Sequence, residues 1–122
     1  MKEKIILVVD DDDPSFLLLN IYLEKRDFKT IRSSTGAQAI ESCKTNYNIS
    51  LVLLDYRLPD INGIDVCKSI KSLRPDINII FLSATDDPAV KNSCSKAGGL
   101  AYITKPTSYF NLMSIIADFL CN

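Results

Sequence analysis

Residues 5–14 read Ile5-Ile6-Leu7-Val8-Val9-Asp10-Asp11-Asp12-Asp13-Pro14. Five aliphatic residues in a row do not alternate, so they do not suit a strand with one wet face. They suit a strand buried on both faces, as in a parallel sheet covered by helices. The acids end the run, and Asp13-Pro14 predicts a helix start, with Asp13 as N-cap and proline in the first turn, where its missing N–H costs little. The stretch is therefore the first half of a βα unit.

Working outward, the unit recurs. Leu51–Leu54 and Ile77–Leu82 are further continuous apolar runs, and two weaker ones lie at residues 28–31 and 100–103. Segments of helical length follow each, at about 14–26, 35–46, 62–73, 86–97 and 107–120. Ser34 or Thr35 can cap the second, Asp87-Pro88 opens the fourth, Gly98-Gly99 closes it, and Thr107 or Ser108 can cap the last. Strand and helix alternate through the chain, which predicts an α/β doubly wound parallel sheet in one domain, residues 1–122.

Composition agrees. With 122 residues, 47% hydrophobic and 24% charged, the chain can fill one core. No apolar run approaches the roughly 20 residues of a membrane span, and the N-terminus lacks the shape of a signal peptide, so no membrane insertion and a cytoplasmic location are expected. The 14 basic residues against 15 acidic, with no basic cluster, argue against direct nucleic-acid binding. The absence of histidine excludes Ser–His–Asp and Cys–His catalysis and His-ligated zinc within the chain. Cys43, Cys67, Cys94 and Cys121 are widely spaced and are expected to be reduced, buried thiols.

In such a sheet the ligand site lies outside the carboxyl ends of the strands. There the sequence places Asp10 to Asp13, then Asp55, then Ser83, Ala84 and Thr85, then Thr104, Lys105 and Pro106. Converging carboxylates repel one another, and a hard divalent cation, Mg²⁺ or Mn²⁺, relieves that cost. A lysine and a serine beside them suit phosphoryl oxygens, and a carboxylate is the nucleophile at hand. The residue physics thus points to a Mg²⁺-dependent phosphoryl site on an aspartate. Taken singly, each residue has an ordinary reading: solvated helix start, turn former, cap, surface loop. Their joint placement after four strands argues for function.

These residues resemble a two-component response-regulator receiver domain over essentially the whole chain. The matching stretches are Ile6-Leu-Val-Val-Asp10-Asp11, Leu51-Val-Leu-Leu-Asp55-Tyr-Arg57-Leu-Pro59-Asp-Ile-Asn-Gly63, Ile79-Ile-Phe-Leu-Ser83-Ala84 and Ala97-Gly-Gly-Leu-Ala-Tyr102-Ile-Thr-Lys105-Pro106. The resemblance implies a flavodoxin-like (βα)5 fold with strand order 2-1-3-4-5. It implies phosphorylation of Asp55 by a sensor histidine kinase or a histidine phosphotransfer protein. Mg²⁺ would be held by Asp10, Asp11, Asp55 and the backbone carbonyl of Arg57. Ser83 and Lys105 would contact the phosphoryl group, and Tyr102 would rotate as Ser83 moves. Pro59, Gly63 and Pro106, the last often after a cis bond, would set loop geometry. Arg57 and Thr85 would tune phosphate lifetime. A phosphoryl group adds concentrated charge and acceptor atoms, which bias a two-state element.

Three features depart from the family pattern or add to it. Thr107 stands where a bulkier residue often follows the lysine–proline pair. Leu100-Ala101 precede Tyr102, and the last helix holds no Arg or Lys, so the charged dimer contact of DNA-binding members is not expected. The first helix is apolar around most of its girth: Leu18, Leu19, Tyr22 and Leu23 are expected to face the sheet, and Phe16, Leu17 and Ile21 to form a partner-docking patch. The last helix has a similar apolar excess that a partner or a symmetric homodimer can cover. The reading is a signalling switch that acts only on its own phosphorylation, not an enzyme. The alternatives are a pseudo-receiver that serves as an interaction module, and a small Mg²⁺-dependent phosphatase with an aspartate nucleophile.

Overall fold

The computed structural model describes residues 4–120. Cys121 and the first three residues, on which part of the thiol and N-terminal expectations fell, lie outside the described residues. The elements alternate: β1 (Ile5–Val9), α1 (Asp13–Glu24), β2 (Lys29–Ser33), α2 (Gly36–Thr45), β3 (Ile49–Leu54), α3 (Gly63–Leu73), β4 (Asn78–Ser83), α4 (Pro88–Lys96), β5 (Ala101–Thr104) and α5 (Tyr109–Leu120). The five strands form one parallel sheet in the order β2-β1-β3-β4-β5.

The continuous apolar runs are explained by two cores. Side chains alternate across a strand, so Leu7, Val9, Val52, Leu54, Ile79 and Phe81 meet Ala39, Cys43, Val66, Cys67, Ile70 and Cys94 beneath α2, α3 and α4. Ile6, Val8, Leu51, Leu53, Ile80 and Leu82 meet Leu19, Leu23, Leu112, Met113 and Ile116 of α1 and α5 on the other side. Each buried Leu or Ile contributes about 1.5–3 kcal/mol relative to exposure, so neither face tolerates a polar alternation.

Helix starts follow local chemistry, with one correction. Thr35, Asn62 and Asp87 cap α2, α3 and α4, and the Ser108 hydroxyl accepts from Asn111 N at 3.0 Å. For α1 the cap is Asp12, not Asp13: its carboxylate accepts from Ser15 N at 2.9 Å. Asp13 lies inside the first turn and is engaged by Arg32 at 2.7 Å. Gly98 ends α4 at φ 114°, a conformation L side chains rarely adopt.

The expected inner face of α1 also needs correction. Phe16 is half-buried against the sheet, whereas Leu18 is 50% exposed, beside Leu17 at 57% and Ile21 at 53%. A helix turns 100° per residue, so the buried stripe is Phe16, Leu19 and Leu23, with Tyr22 on its flank. Leu18 falls on the solvent side of that flank. Arg32 then covers the Phe16 ring, its guanidinium carbon 4.9 Å from the centroid.

Candidate functional site

Parallel pairing brings the carboxyl ends of the strands to one edge. Val9 stands opposite Leu54, Leu54 opposite Phe81, and Phe81 opposite Tyr102. Residues that follow these rungs must therefore be neighbours, and main-chain bonds extend the ladder to them. Asp55 N donates to Val9 O at 3.1 Å, Asp10 N to Ser33 O at 3.1 Å, and Lys105 N to Ser83 O at 2.9 Å.

The side chains meet at this edge. Lys105 Nζ lies 2.7 Å from Asp10 Oδ2 and 3.4 Å from Asp55 Oδ2. It also donates to Ser15 Oγ at 2.9 Å, and the Ser15 hydroxyl donates to Asp10 Oδ2 at 2.7 Å. Asp12 N donates to Asp10 Oδ1 at 2.9 Å. Asp10 is 2% exposed, so these charged bonds are what makes its burial tolerable. The Asp55 side chain is 13% exposed and faces a cleft of about 340 Å³ lined by Asp11, Ser83 and Lys105 among others. Asp11 is exposed at the mouth.

The loop from Asp55 to Asn62 is held at both ends. Gly63 N donates to Tyr56 O at 2.7 Å, and a Cβ on Gly63 would stand 2.4 Å from Asp55 O, so only glycine fits. Asp60 accepts from Gly36 N at 2.8 Å and Ala37 N at 2.9 Å, which fastens the loop to the start of α2. Those amides hold the Asp60 carboxyl below its ordinary range. Pro59 is exposed within this loop, and the Lys105–Pro106 bond is cis. At the rim, Arg57 N donates to Asp55 Oδ1 at 3.2 Å and Arg57 Nε to Thr85 Oγ1 at 3.3 Å.

Tyr102 is turned inward, its hydroxyl donating to Thr85 O at 2.6 Å and its ring stacked on Phe81 at 6.2 Å. Burial raises its phenol above the usual range, partly offset by a hydrogen bond with Ser83. Lys91 lies 5.6 Å over the ring and pairs with Asp86 at 2.6 Å. Ser83 is 1% exposed.

One carboxylate oxygen each from Asp10, Asp11 and Asp55 lies within 4.8 Å of the other two. An all-oxygen, anionic donor set of this spacing fits a hard divalent cation, which keeps waters in its remaining positions.

A model of the response regulator receiver domain matches residues 6–117. The chain belongs to this family. It is similar to the alkaline phosphatase synthesis transcriptional regulatory protein PhoP of Bacillus subtilis, 35% identical over 105 residues, 86% of this chain and 43% of that one. It is similar to sporulation initiation phosphotransferase F of the same organism, 29% identical over 120 residues, 98% of this chain and 95% of that one. A solved response regulator from Chloroflexus aurantiacus superposes with a TM-score of 0.91 at 26% identity, covering 99% of this chain and 100% of that one. The chain spans less than half the length of several curated relatives it matches.

As a receiver, the chain has a family role as a phosphoryl-accepting signalling switch, and its acidic cluster is of the kind at which receivers bind Mg²⁺. Sequence reasoning missed three neighbours of the site. Ser15 and Arg32 carry no motif signal, and Asp60 lies in the quoted stretch around Asp55 without a role assigned to it, because each acts through a contact with another element.

Proposed function

We propose that Asp55 accepts the phosphoryl group from a phosphohistidine of a sensor kinase or phosphotransfer protein. An Asp55 carboxylate oxygen attacks phosphorus, an O–P bond forms, and the N–P bond breaks with its electron pair returning to the donor imidazole. The observation that carries this reading is Lys105 spanning Asp10 and Asp55 beside a cleft that leaves Asp55 accessible. Asp10, Asp11, Asp55 and the Arg57 carbonyl would hold Mg²⁺, which supplies charge neutralisation for the transferring oxygens. Lys105 Nζ exchanges its carboxylate bond for a phosphoryl oxygen, and the Ser83 hydroxyl donates to another. Drawing Ser83 towards the phosphate changes the space and hydrogen bonding open to Tyr102, which biases the β4–α4 surface. Arg57 and Thr85, joined at the rim, control the approach of water to the acyl phosphate.

The kinase or phosphotransfer partner docks on the exposed apolar residues of α1, Leu17, Leu18 and Ile21. They adjoin an apolar cavity of about 330 Å³ that runs from Leu18 and Tyr22 to Pro106 and Thr107 at the site's edge. Phe16, half-buried and covered by Arg32, is left out of this patch. The protein works in the cytoplasm, where such donors are found, and changes only its own phosphorylation state. Phe110, 82% exposed on α5, is available for a second contact, including one in a homodimer. Among the described residues no helix is long and apolar enough to cross a membrane. The pseudo-receiver reading is disfavoured by the retention of Asp10, Asp11, Asp55, Ser83 and Lys105, and the phosphatase reading by Arg57 standing where a leaving-group acid would be needed.

The test is intact mass after incubation with acetyl phosphate and Mg²⁺. Wild type is expected to gain about 80 Da, one phosphoryl group, and Asp55→Asn to gain nothing. Equal gain in both proteins would place the phosphate elsewhere.

A further inference from the structure

Arg32 lies on the edge strand β2, which contributes no motif residue to the site. Its side chain folds over the end of β1. Nε and Nη2 donate to the Asp10 carbonyl oxygen at 3.2 and 3.1 Å, and Nη1 pairs with Asp13 at 2.7 Å. The planar fork thus grips the main chain on one side of the acidic loop and a carboxylate on the other, while stacking on Phe16. Because Asp10 N is already tied to Ser33 O, the main chain of Asp10 is held from β2 at both its N–H and its carbonyl. The orientation of the Asp10–Asp11 peptide sets where the next residue, Asp11, projects.

We propose that Arg32 is a positioning residue for the divalent-cation site: its guanidinium geometry, rather than its charge, fixes the Asp10–Asp11 peptide so that both carboxylates converge with Asp55. This rests on the Mg²⁺ reading above. The charge by itself works in the opposite sense, since a cation beside three carboxylates repels a second cation. Lysine keeps the charge but cannot make the forked contact, so the two effects separate cleanly.

The experiment is calorimetric titration of Mg²⁺ into the whole chain as wild type, Arg32→Lys and Arg32→Gln. Amide hydrogen exchange at Asp11 and Asp12 is followed in the metal-free proteins. Both variants are expected to bind Mg²⁺ roughly tenfold more weakly, as loss of a residue supporting a metal ligand typically does, and to exchange faster at those amides. Wild-type affinity in Arg32→Lys together with tighter binding in Arg32→Gln would show that only charge matters and would overturn the proposal. So would unchanged exchange in a folded Arg32→Lys protein. Failure of wild type itself to bind Mg²⁺ would instead remove the metal reading on which the proposal rests.

Discussion

At the scale of single residues, the site is a charge problem solved by one ammonium group. Asp10 is almost fully buried, Asp55 is partly so, and Lys105 touches both. Removing one member of such a set leaves the other charges without compensation. Lys105→Met is expected to lower metal-free stability by about 1–3 kcal/mol, with much of the loss restored by millimolar Mg²⁺. Denaturant unfolding with and without the cation checks this; a variant as stable as wild type without Mg²⁺ would contradict it. Gly63 answers a steric problem. Its missing Cβ would meet main chain at 2.4 and 2.8 Å, not a flexible side-chain end. Gly63→Ala should therefore cost about 1–3 kcal/mol through displacement of the loop, and weaken Mg²⁺ binding as the Arg57 carbonyl moves with it. Thermal melting and calorimetry on the same sample read both effects.

At the scale of elements, α1 has two duties. One face of Phe16, Leu19 and Leu23 holds the sheet, and the opposite face presents Leu17, Leu18 and Ile21 to solvent. Contact with a protein donor should depend on that outer face, and contact with a small donor should not. A Leu17→Asp, Ile21→Asp protein is expected to lose at least tenfold in phosphotransfer from a phosphohistidine protein, about 1.4 kcal/mol of docking. Its labelling by acetyl phosphate should be unchanged. Equal rates with the protein donor would remove α1 from the docking surface. The loop after β3 is likewise a matter between elements: Asp60 couples it to α2 across 24 residues of sequence. The Asp60 carboxyl is depressed by the two amides it accepts from, so its contribution is present above the ordinary carboxylate range and lost as pH falls through its lowered value.

At the scale of the whole molecule, the core beneath α2, α3 and α4 sets an alkaline limit. Burial pushes the thiols of Cys43, Cys67 and Cys94 up to about 11 from 9.0. A raised value means that the neutral thiol belongs to the folded state: the contribution is complete below pH 9 and is lost as pH rises towards 11. At pH 10 each thiol costs roughly 1 kcal/mol of stability, so the melting temperature should drop steeply between pH 9 and 11. Substituting the three cysteines by alanine should flatten that drop even though it lowers stability at pH 7; an unchanged slope would count against the mechanism. The same thiols should resist a thiol reagent until the chain unfolds. Much of this architecture was legible in the residues. Continuous runs such as Ile5–Val9 demand two covered faces, and strict alternation with helical segments leaves a parallel sheet whose strand ends collect Asp10, Asp55, Ser83 and Lys105. Those consequences follow from local pattern and chain connectivity, which a sequence carries directly. The cap at Asp12 in place of Asp13, and the exchange of Phe16 and Leu18 between faces of α1, did not. At both points Arg32 arrives from β2, pairing with Asp13 and covering Phe16. Only the tertiary structure decided these points, because a side chain's partner from another strand is a fact of three-dimensional packing and leaves no mark on its own neighbours in sequence.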